Sequence, residues 1–369
     1  MRVFYSPGRV NLIGEYTDFN GGYVFPCAID RGIYAACARN DDNIVRFRTT
    51  NFDFGLDIDL RDELSFDKEH NWVNYPKGVM SELVRTGMKL GGLDILVSGD
   101  IPVGAGLSSS ASIEVLTAVI FNDVFNLDID CLDIVKLTQR AENYFVGVMC
   151  GIMDQFAVTM GREHHAIMLN CSTLEYSYAP LRLRDTKLII GNTNLKRGLL
   201  HSKYNERRAE CEAALSDLQT ALYIKNLCEI DSETFDKYAH LIKDSASMMR
   251  ARHIVYENER TKAAYNALSH NDLIRFGKLL NESHHSLKND LCVSCSELDA
   301  LAETAQRLDG CYGSRMTGAG FGGCTVSIVE SGYADGFIKK LGEEYTKLTG
   351  LTADFYVVKP SGGAGEICE

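Results

Sequence analysis

Leu93 to Asn122, LDILVSGDIPVGAGLSSSASIEVLTAVIFN, holds the densest set of residues able to do chemistry. Gly99, Gly104 and Gly106 allow backbone geometry that a side chain would forbid, and Ser108, Ser109, Ser110 and Ser112 follow where a helix starts. Unpaired N–H groups and the positive end of a helix dipole both face such a turn, so it predicts an anion site with phosphate as the guest. Two familiar phosphate loops do not fit. No Gly-Lys-Ser/Thr follows the glycines, and Gly104-x-Gly106-x-x-Ser109 lacks the third glycine of a dinucleotide fingerprint. Taken alone, the turn also reads as an ordinary strand-to-helix connection. A second candidate is Asp154 in CGIMDQF, a carboxylate in an apolar neighbourhood that needs a partner to stay charged and ready to accept a proton. Cys292 and Cys295 have no second CxxC and no histidine at ligand spacing, so no metal or redox chemistry is expected of them.

The elements that must position these groups are legible in outline. Leu93, Ile95 and Val97 alternate as in a strand with one buried face, and Ile113, Leu116, Ile120 and Val124 form one apolar helical stripe. The first sixty residues read as strands: Arg2 to Tyr5, Tyr23 to Ile29, Gly32 to Arg39, Ile44 to Thr50 and Leu56 to Leu60. The spacing predicts a helix from Asn74 to Lys89 with Val79, Met80, Leu83 and Val84 inward, another near Leu132 to Val146, and a strand at Ala166 to Leu169. A Pro-containing loop from Tyr176 to Leu183 predicts a boundary near 180, giving domains 1–180 and 181–369. Beyond it a strand at Lys187 to Gly191 is followed by mostly helical sequence, then by a glycine turn from Gly313 to Gly323 and a strand at Cys324 to Val329.

A chain of 369 residues exceeds what one core usually supports, which agrees with two domains. Its net charge of −12 argues against a general nucleic-acid or anionic-membrane binder, so positive charge must be concentrated locally, with Arg9, Lys196, Arg197 and Arg315 as candidates. The 12 cysteines are scattered, many in apolar runs as Cys37 and Cys171 are, and read as buried free thiols of a reduced cytoplasmic protein. No signal-peptide or membrane-spanning apolar run is apparent, and a monomer is expected.

PVGAGLSSSAS closely resembles the central phosphate-binding motif of the GHMP kinases. SPGRVNLIGEYTDFNGGYVFP at Ser6 to Pro26 and GSRMTGAGFGGCTV at Gly313 to Val326 resemble the other two motifs of the galactokinase branch of that family. The resemblance implies an α+β fold: an N-terminal domain like ribosomal protein S5 domain 2, a ferredoxin-like C-terminal domain, and an active site between them. Galactokinases usually carry about one extra helix before SPGR, which here begins at residue six, so packing on that side is expected to differ.

By that resemblance the reaction is phosphoryl transfer from ATP to the C1 hydroxyl of α-D-galactose, which needs a nucleotide cradle, a metal and a group to manage the acceptor proton. Gly104, Ala105, Gly106, Leu107, Ser108, Ser109 and Ser110 would hold the triphosphate, and Trp72 in NWVNYPKG would lie near adenine. Ser110 and Glu142 would reach Mg²⁺, a hard cation that prefers such oxygen donors. Asp154 becomes the general base and Arg9 its partner, which stabilises charge developing on the acceptor oxygen. Glu15, Tyr16, Thr17 and Asp18 form the sugar segment, Asp18 near the C3 and C4 hydroxyls and Glu15 near C6, with Gly151 and Tyr204 as further contacts. The local readings stay open beside these: Glu142 as a solvated helix residue, Asp154 and Arg9 as a buried pair joining elements, Tyr204 as a helix-surface aromatic, and Trp72 as core. The usual GEHTDY is GEYTDF here, and a phenol at position 16 is longer and differs in donor geometry. A kinase for N-acetylgalactosamine or galactosamine, and a non-catalytic galactose and ATP sensor, are the alternatives.

Overall fold

The computed structural model describes residues 1–102, 106–181, 183, 185–195 and 200–367, without the side chains of 200 and 201. Gly104, Ala105, Lys196 and Arg197 therefore lie outside the described residues. The first half runs β1 (Arg2–Asn11), β2 (Tyr23–Val24), β3 (Pro26–Arg39), β4 (Ile44–Thr49), β5 (Gly55–Asp59), α1 (Asn74–Arg85), β6 (Leu93–Gly99), α2 (Ser109–Phe125), α3 (Cys131–Arg140), a π-helical turn (Ala141–Val146), α4 (Met153–Met160), β7 (His165–Asn170) and β8 (Tyr176–Pro180). The second half runs β9 (Thr186–Asn192), α5 (Leu200–Leu218), α6 (Ser232–Tyr238), α7 (Ser245–Ser269), α8 (Leu273–Asn289), α9 (Ser296–Ala305), β10 (Cys311–Thr317), β11 (Cys324–Glu330), α10 (Ala334–Thr349), β12 (Asp354–Val358) and β13 (Gly365–Glu366).

Among the described residues, three sheets organise these elements, in the orders β13-β1-β3-β6-β4-β5, β10-β11-β9-β12 and β2-β7-β8. Only the β4–β6 pair is parallel among the described residues. The long β1–β3 ladder shifts register between Pro7 and Gly8, a bulge just before Arg9. Such a break bends the strand and re-aims the side chains after it. At the sheet edge β13 brings the C-terminal segment back to β1, pairing Phe4 with Glu366.

Helix α2 differs from the expected single stripe. Val115, Leu116, Ala118, Val119, Ile120 and Phe121 are all buried, so the helix is enclosed on every side rather than lying on a surface. It packs on β1 and β3 and is flanked by α1, α3 and α4. This enclosure fixes its serine-bearing N-terminus relative to β1.

Several expectations are corrected. Helix α1 stops at Arg85 because the Thr86 hydroxyl turns back to the Leu83 carbonyl and Gly87 takes a left-handed φ of 87°. Val84 lies off the face shared by Val79, Met80 and Leu83, and is 51% exposed. Most of the expected 176–183 loop is strand β8, paired with β7 from His165↔Pro180 to Leu169↔Tyr176. Pro180 is accommodated at the strand's end on a sheet edge, where a missing N–H costs little. The expected glycine turn begins late, since Gly313 to Thr317 belong to β10 and pair with β11.

The two halves meet along residues 11 to 18. Arg315 of β10 is fully buried and donates to the carbonyls of Asn11 and Leu12 at 3.2 and 2.8 Å. From α7, Glu257 accepts the Gly14 N–H at 3.1 Å, and the His253 ring lies 3.2 Å from the Glu15 carbonyl. Burial pushes the His253 pKa down to about 4, so the ring is neutral and its Nε2–H serves as donor to that carbonyl. Among the described residues, no helix is long and apolar enough to cross a membrane.

Candidate active site

Arg9 leaves β1 just past the bulge, and Asp154 sits in the first turn of α4, which packs on β1. Arg9 Nε and Nη2 each donate to one oxygen of Asp154 at 2.7 Å, and Nη1 donates to the Gly106 carbonyl at 2.7 Å. The Arg9 N–H also donates to the Leu107 carbonyl at 3.2 Å. Ser108 Oγ donates to Asp154 Oδ2 at 2.5 Å. The arginine side chain is 5% exposed and the aspartate 26%, so the pair is closed behind and open in front. Burial alone would lower the Arg9 pKa, but the charge and hydrogen bonds of Asp154 outweigh it and hold the guanidinium above its ordinary value. Arg9 thereby ties the carboxylate to the glycine–serine turn.

The segment Glu15 to Asp18 lies on the same side, with Tyr16 in a left-handed conformation at φ 66°. Glu15 Oε1 is 2.9 Å from Arg315 Nη2 and accepts the Gly318 N–H at 2.7 Å. Tyr16 Oη donates to the Ala319 carbonyl at 2.8 Å, so neighbouring residues 15 and 16 both hold the loop after β10. That loop meets the turn before α2: a Cβ on Gly318 would fall 2.9 Å from the Gly106 carbonyl, a contact only glycine permits without a shift. Thr17 is buried and its hydroxyl bonds the Gly14 and Tyr23 carbonyls, so it shapes the segment from behind.

Asp18 is partly exposed and faces Gly151, where an added Cβ would lie 1.7 Å from Asp18 Oδ2. Desolvation, followed by the charge of Asp154, pushes its pKa up to about 7. Tyr204 of α5 packs its ring 5.1 Å from Tyr16 and 5.9 Å from Phe19, forming an aromatic wall beside these acids. Arg315 serves the junction described above, and its carbonyl and Glu15 contacts are those of a structural clamp. Trp72 packs edge-on to Phe47 and Phe52 at 6.0 and 6.5 Å, and its buried Nε1 has no hydrogen-bond partner among the described residues.

Ser109 and Ser110 open α2, and the Ser110 hydroxyl stands near Glu142 in the π-helical turn, where it favours the charged form of that carboxyl. Glu142 is buried rather than solvated, and desolvation, followed by the charge of Asp154, raises its pKa to about 7. Its Oε2 accepts from Gln155 Nε2 at 2.7 Å and from the Cys150 thiol at 3.3 Å. No ion pair to Glu142 occurs among the described residues, and a hydroxyl beside a buried carboxylate without a cation is a donor set that fits Mg²⁺. Two residues were missed by the sequence reading: Gln155, next to Asp154, and Glu114, the one charged side chain inside the apolar run of α2.

The chain matches three family models: the galactokinase galactose-binding signature at residues 2–39, the GHMP kinases N terminal domain at 74–162, and the GHMP kinases C terminal at 263–347. The galactokinase of Ligilactobacillus salivarius is 51% identical over 98% of this chain and 94% of its own length. That of Fusobacterium nucleatum is 52% identical over 99% of this chain and 94% of its own. The chain belongs to the galactokinase family of the GHMP kinases. The crystal structure of Lactococcus lactis galactokinase complexed with galactose aligns at a TM-score of 0.97 with 45% identity, over 99% of this chain and 95% of that one. The Methanococcus jannaschii mevalonate kinase shares the fold at a TM-score of 0.72 and 18% identity. The galactokinase signature spans Arg9 and Glu15 to Asp18, and the GHMP N-terminal match spans Ser110, Glu142 and Asp154. Both stretches contribute to the constellation around Asp154.

Proposed function

We propose that this protein is an ATP-dependent galactokinase that transfers the γ-phosphoryl group to the C1 hydroxyl of α-D-galactose, giving galactose 1-phosphate and ADP. The observation that carries the reading is the Arg9–Asp154 pair, bonded to the carbonyl of Gly106 and the hydroxyl of Ser108. A base anchored to the phosphate-binding turn stands beside both the acceptor and the transferred group.

Asp18 accepts hydrogen bonds from the C3 and C4 hydroxyls, and Gly151 leaves the space that Asp18 occupies. Glu15 acts toward C6 and also fixes the Gly318 loop, while Tyr204 supplies an apolar wall. Asp154 takes the proton of the C1 hydroxyl as that oxygen attacks, and releases it to solvent through its open side. Arg9 holds the base in place and balances charge on the acceptor and the phosphoryl group. The turn through Gly104, Ala105, Gly106 and Leu107 to Ser108, Ser109 and Ser110 holds the triphosphate, and Trp72 borders the adenine. Ser110 and Glu142 would hold Mg²⁺, which neutralises phosphate charge when bound. The protein acts in the cytoplasm as a monomer, with no nucleic-acid or membrane partner.

A second reading, a kinase for a related sugar such as galactosamine or N-acetylgalactosamine, is favoured at one point. The Tyr16 hydroxyl donates to Ala319, so the residue that replaces the family histidine does not direct its proton toward C6. A coupled ADP-release assay over a hexose panel tests both readings. Turnover strongest with galactose supports the first, and turnover confined to a 2-amino sugar overturns it in favour of the second. ADP release with no sugar would sink both.

A further inference from the structure

Glu114 lies in the second turn of α2, 0% exposed, the one charged side chain between Ala111 and Phe121. Its Oε1 has no hydrogen-bond partner among the described residues, and its Oε2 accepts from Gln155 Nε2 at 3.3 Å. The same nitrogen donates to Glu142 Oε2 at 2.7 Å. An amide nitrogen carries two hydrogens, so Gln155 spans the two carboxylates with one donor to each. Gln155 is also fully buried, and its side-chain carbonyl oxygen has no hydrogen-bond partner among the described residues. Packing does not require this arrangement, since a leucine at 114 would leave no unpaired oxygen in an enclosed apolar helix. Buried polar groups kept at such a cost need a reason beyond the fold.

The neighbouring chain suggests one. Gln155 follows Asp154 on the first turn of α4, so the amide links the helix bearing the base to the carboxylate beside Ser110. We infer that Glu114 and Gln155 are positioning residues for the cation site: Glu114 orients the Gln155 amide, and the amide holds Glu142 toward Ser110. The inference rests on the reading that Ser110 and Glu142 bind the divalent cation. Carboxylates that ligate metals are themselves held by such outer hydrogen bonds, and loss of these bonds weakens metal binding about tenfold or more.

The test uses the full-length protein with ADP and Mn²⁺ as the probe, following free Mn²⁺ by electron paramagnetic resonance. Gln155→Met should weaken Mn²⁺ binding about tenfold, and Glu114→Leu about fivefold with a melting temperature equal to or above wild type. A residue needed only for stability would lower the melting temperature instead. Because Glu114 acts through the amide, the double variant should bind Mn²⁺ no more weakly than Gln155→Met alone. Galactose affinity, measured by calorimetry, should stay within about twofold and so report a folded sugar site. Should Gln155→Met fail to fold, Glu114→Leu carries the test by itself. Wild-type Mn²⁺ affinity in these variants, alongside weakened binding in Glu142→Gln, would overturn the inference and leave the metal reading standing. Unchanged Mn²⁺ affinity in Glu142→Gln would overturn the metal reading itself.

Discussion

Arg9 and Asp154 are 145 positions apart in sequence and meet through two parallel hydrogen bonds of 2.7 Å each. This fork-to-carboxylate geometry belongs to arginine, since a lysine ammonium offers a point charge and cannot span both oxygens. The third contact of the guanidinium, on the Gly106 carbonyl, ties the pair to the glycine–serine turn before α2.

Asp154→Asn should therefore lower kcat by about 10³-fold while galactose binding persists, because the amide keeps the size and loses the base. Arg9→Lys should lower kcat by about 10²-fold, with a smaller change in the KM for galactose. Steady-state kinetics beside calorimetric sugar binding check both. Near-normal turnover in Asp154→Asn would remove the carboxylate from the proton transfer.

Gly151→Ala should act on the sugar alone. The added methyl would fall 1.7 Å from Asp18 Oδ2, so the carboxylate must move from its place. The KM for galactose should rise at least about tenfold, with the KM for ATP within about twofold, since one lost charged hydrogen bond is worth that much. An unchanged galactose KM would place Asp18 outside the sugar contacts.

Tyr16→Phe removes the hydrogen bond to Ala319 and should lower stability by about 1 kcal/mol. Tyr16→His should shift preference across the hexose panel more than it changes ATP affinity. Chemical denaturation and the coupled assay read the two effects separately. An unaltered sugar ranking in Tyr16→His would show that position 16 serves only the Gly318–Ala319 loop.

The parts of this site legible in sequence were those carried by local pattern. The turn before α2 was visible because glycines and serines cluster there, and the three motifs gave the family. Glu114 was legible in principle, as one carboxylate between Ile113 and Val115 in an apolar run, but its meaning depends on Gln155, which arrives from another helix. Enclosure of α2 was hidden because one stripe of apolar residues satisfies a surface helix as well as a buried one. Strand β8 was hidden by Pro180 and by its exposure, with Ala179 alone buried among its five residues, while its pairing with β7 is a tertiary fact. The role of Arg315 was misread for the same reason: its charge suggested phosphate, whereas the carbonyls of Asn11 and Leu12 sit against it in the fold.

Asp18 gives the protein a pH dependence whose sign follows from its surroundings. Its pKa is about 7 in the folded chain against an ordinary value of 3.8, so the folded state keeps a proton that the unfolded state has released. Below pH ~4 both states are protonated and Asp18 favours neither. Between ~4 and 7 the folded state binds more protons, so stability falls as pH rises, and above 7 the loss is complete. Asp18→Asn removes this dependence. The substituted protein, free of ligand, should gain up to about 3 kcal/mol over wild type as pH goes from 4 to 8, with most of the gain before 7. Denaturant titrations of both proteins at several pH values measure the difference, which also cancels the opposite trend from His253, buried neutral in both. Parallel stability curves would mean that Asp18 ionises in the fold as it does in water, and that its closeness to Asp154 costs nothing.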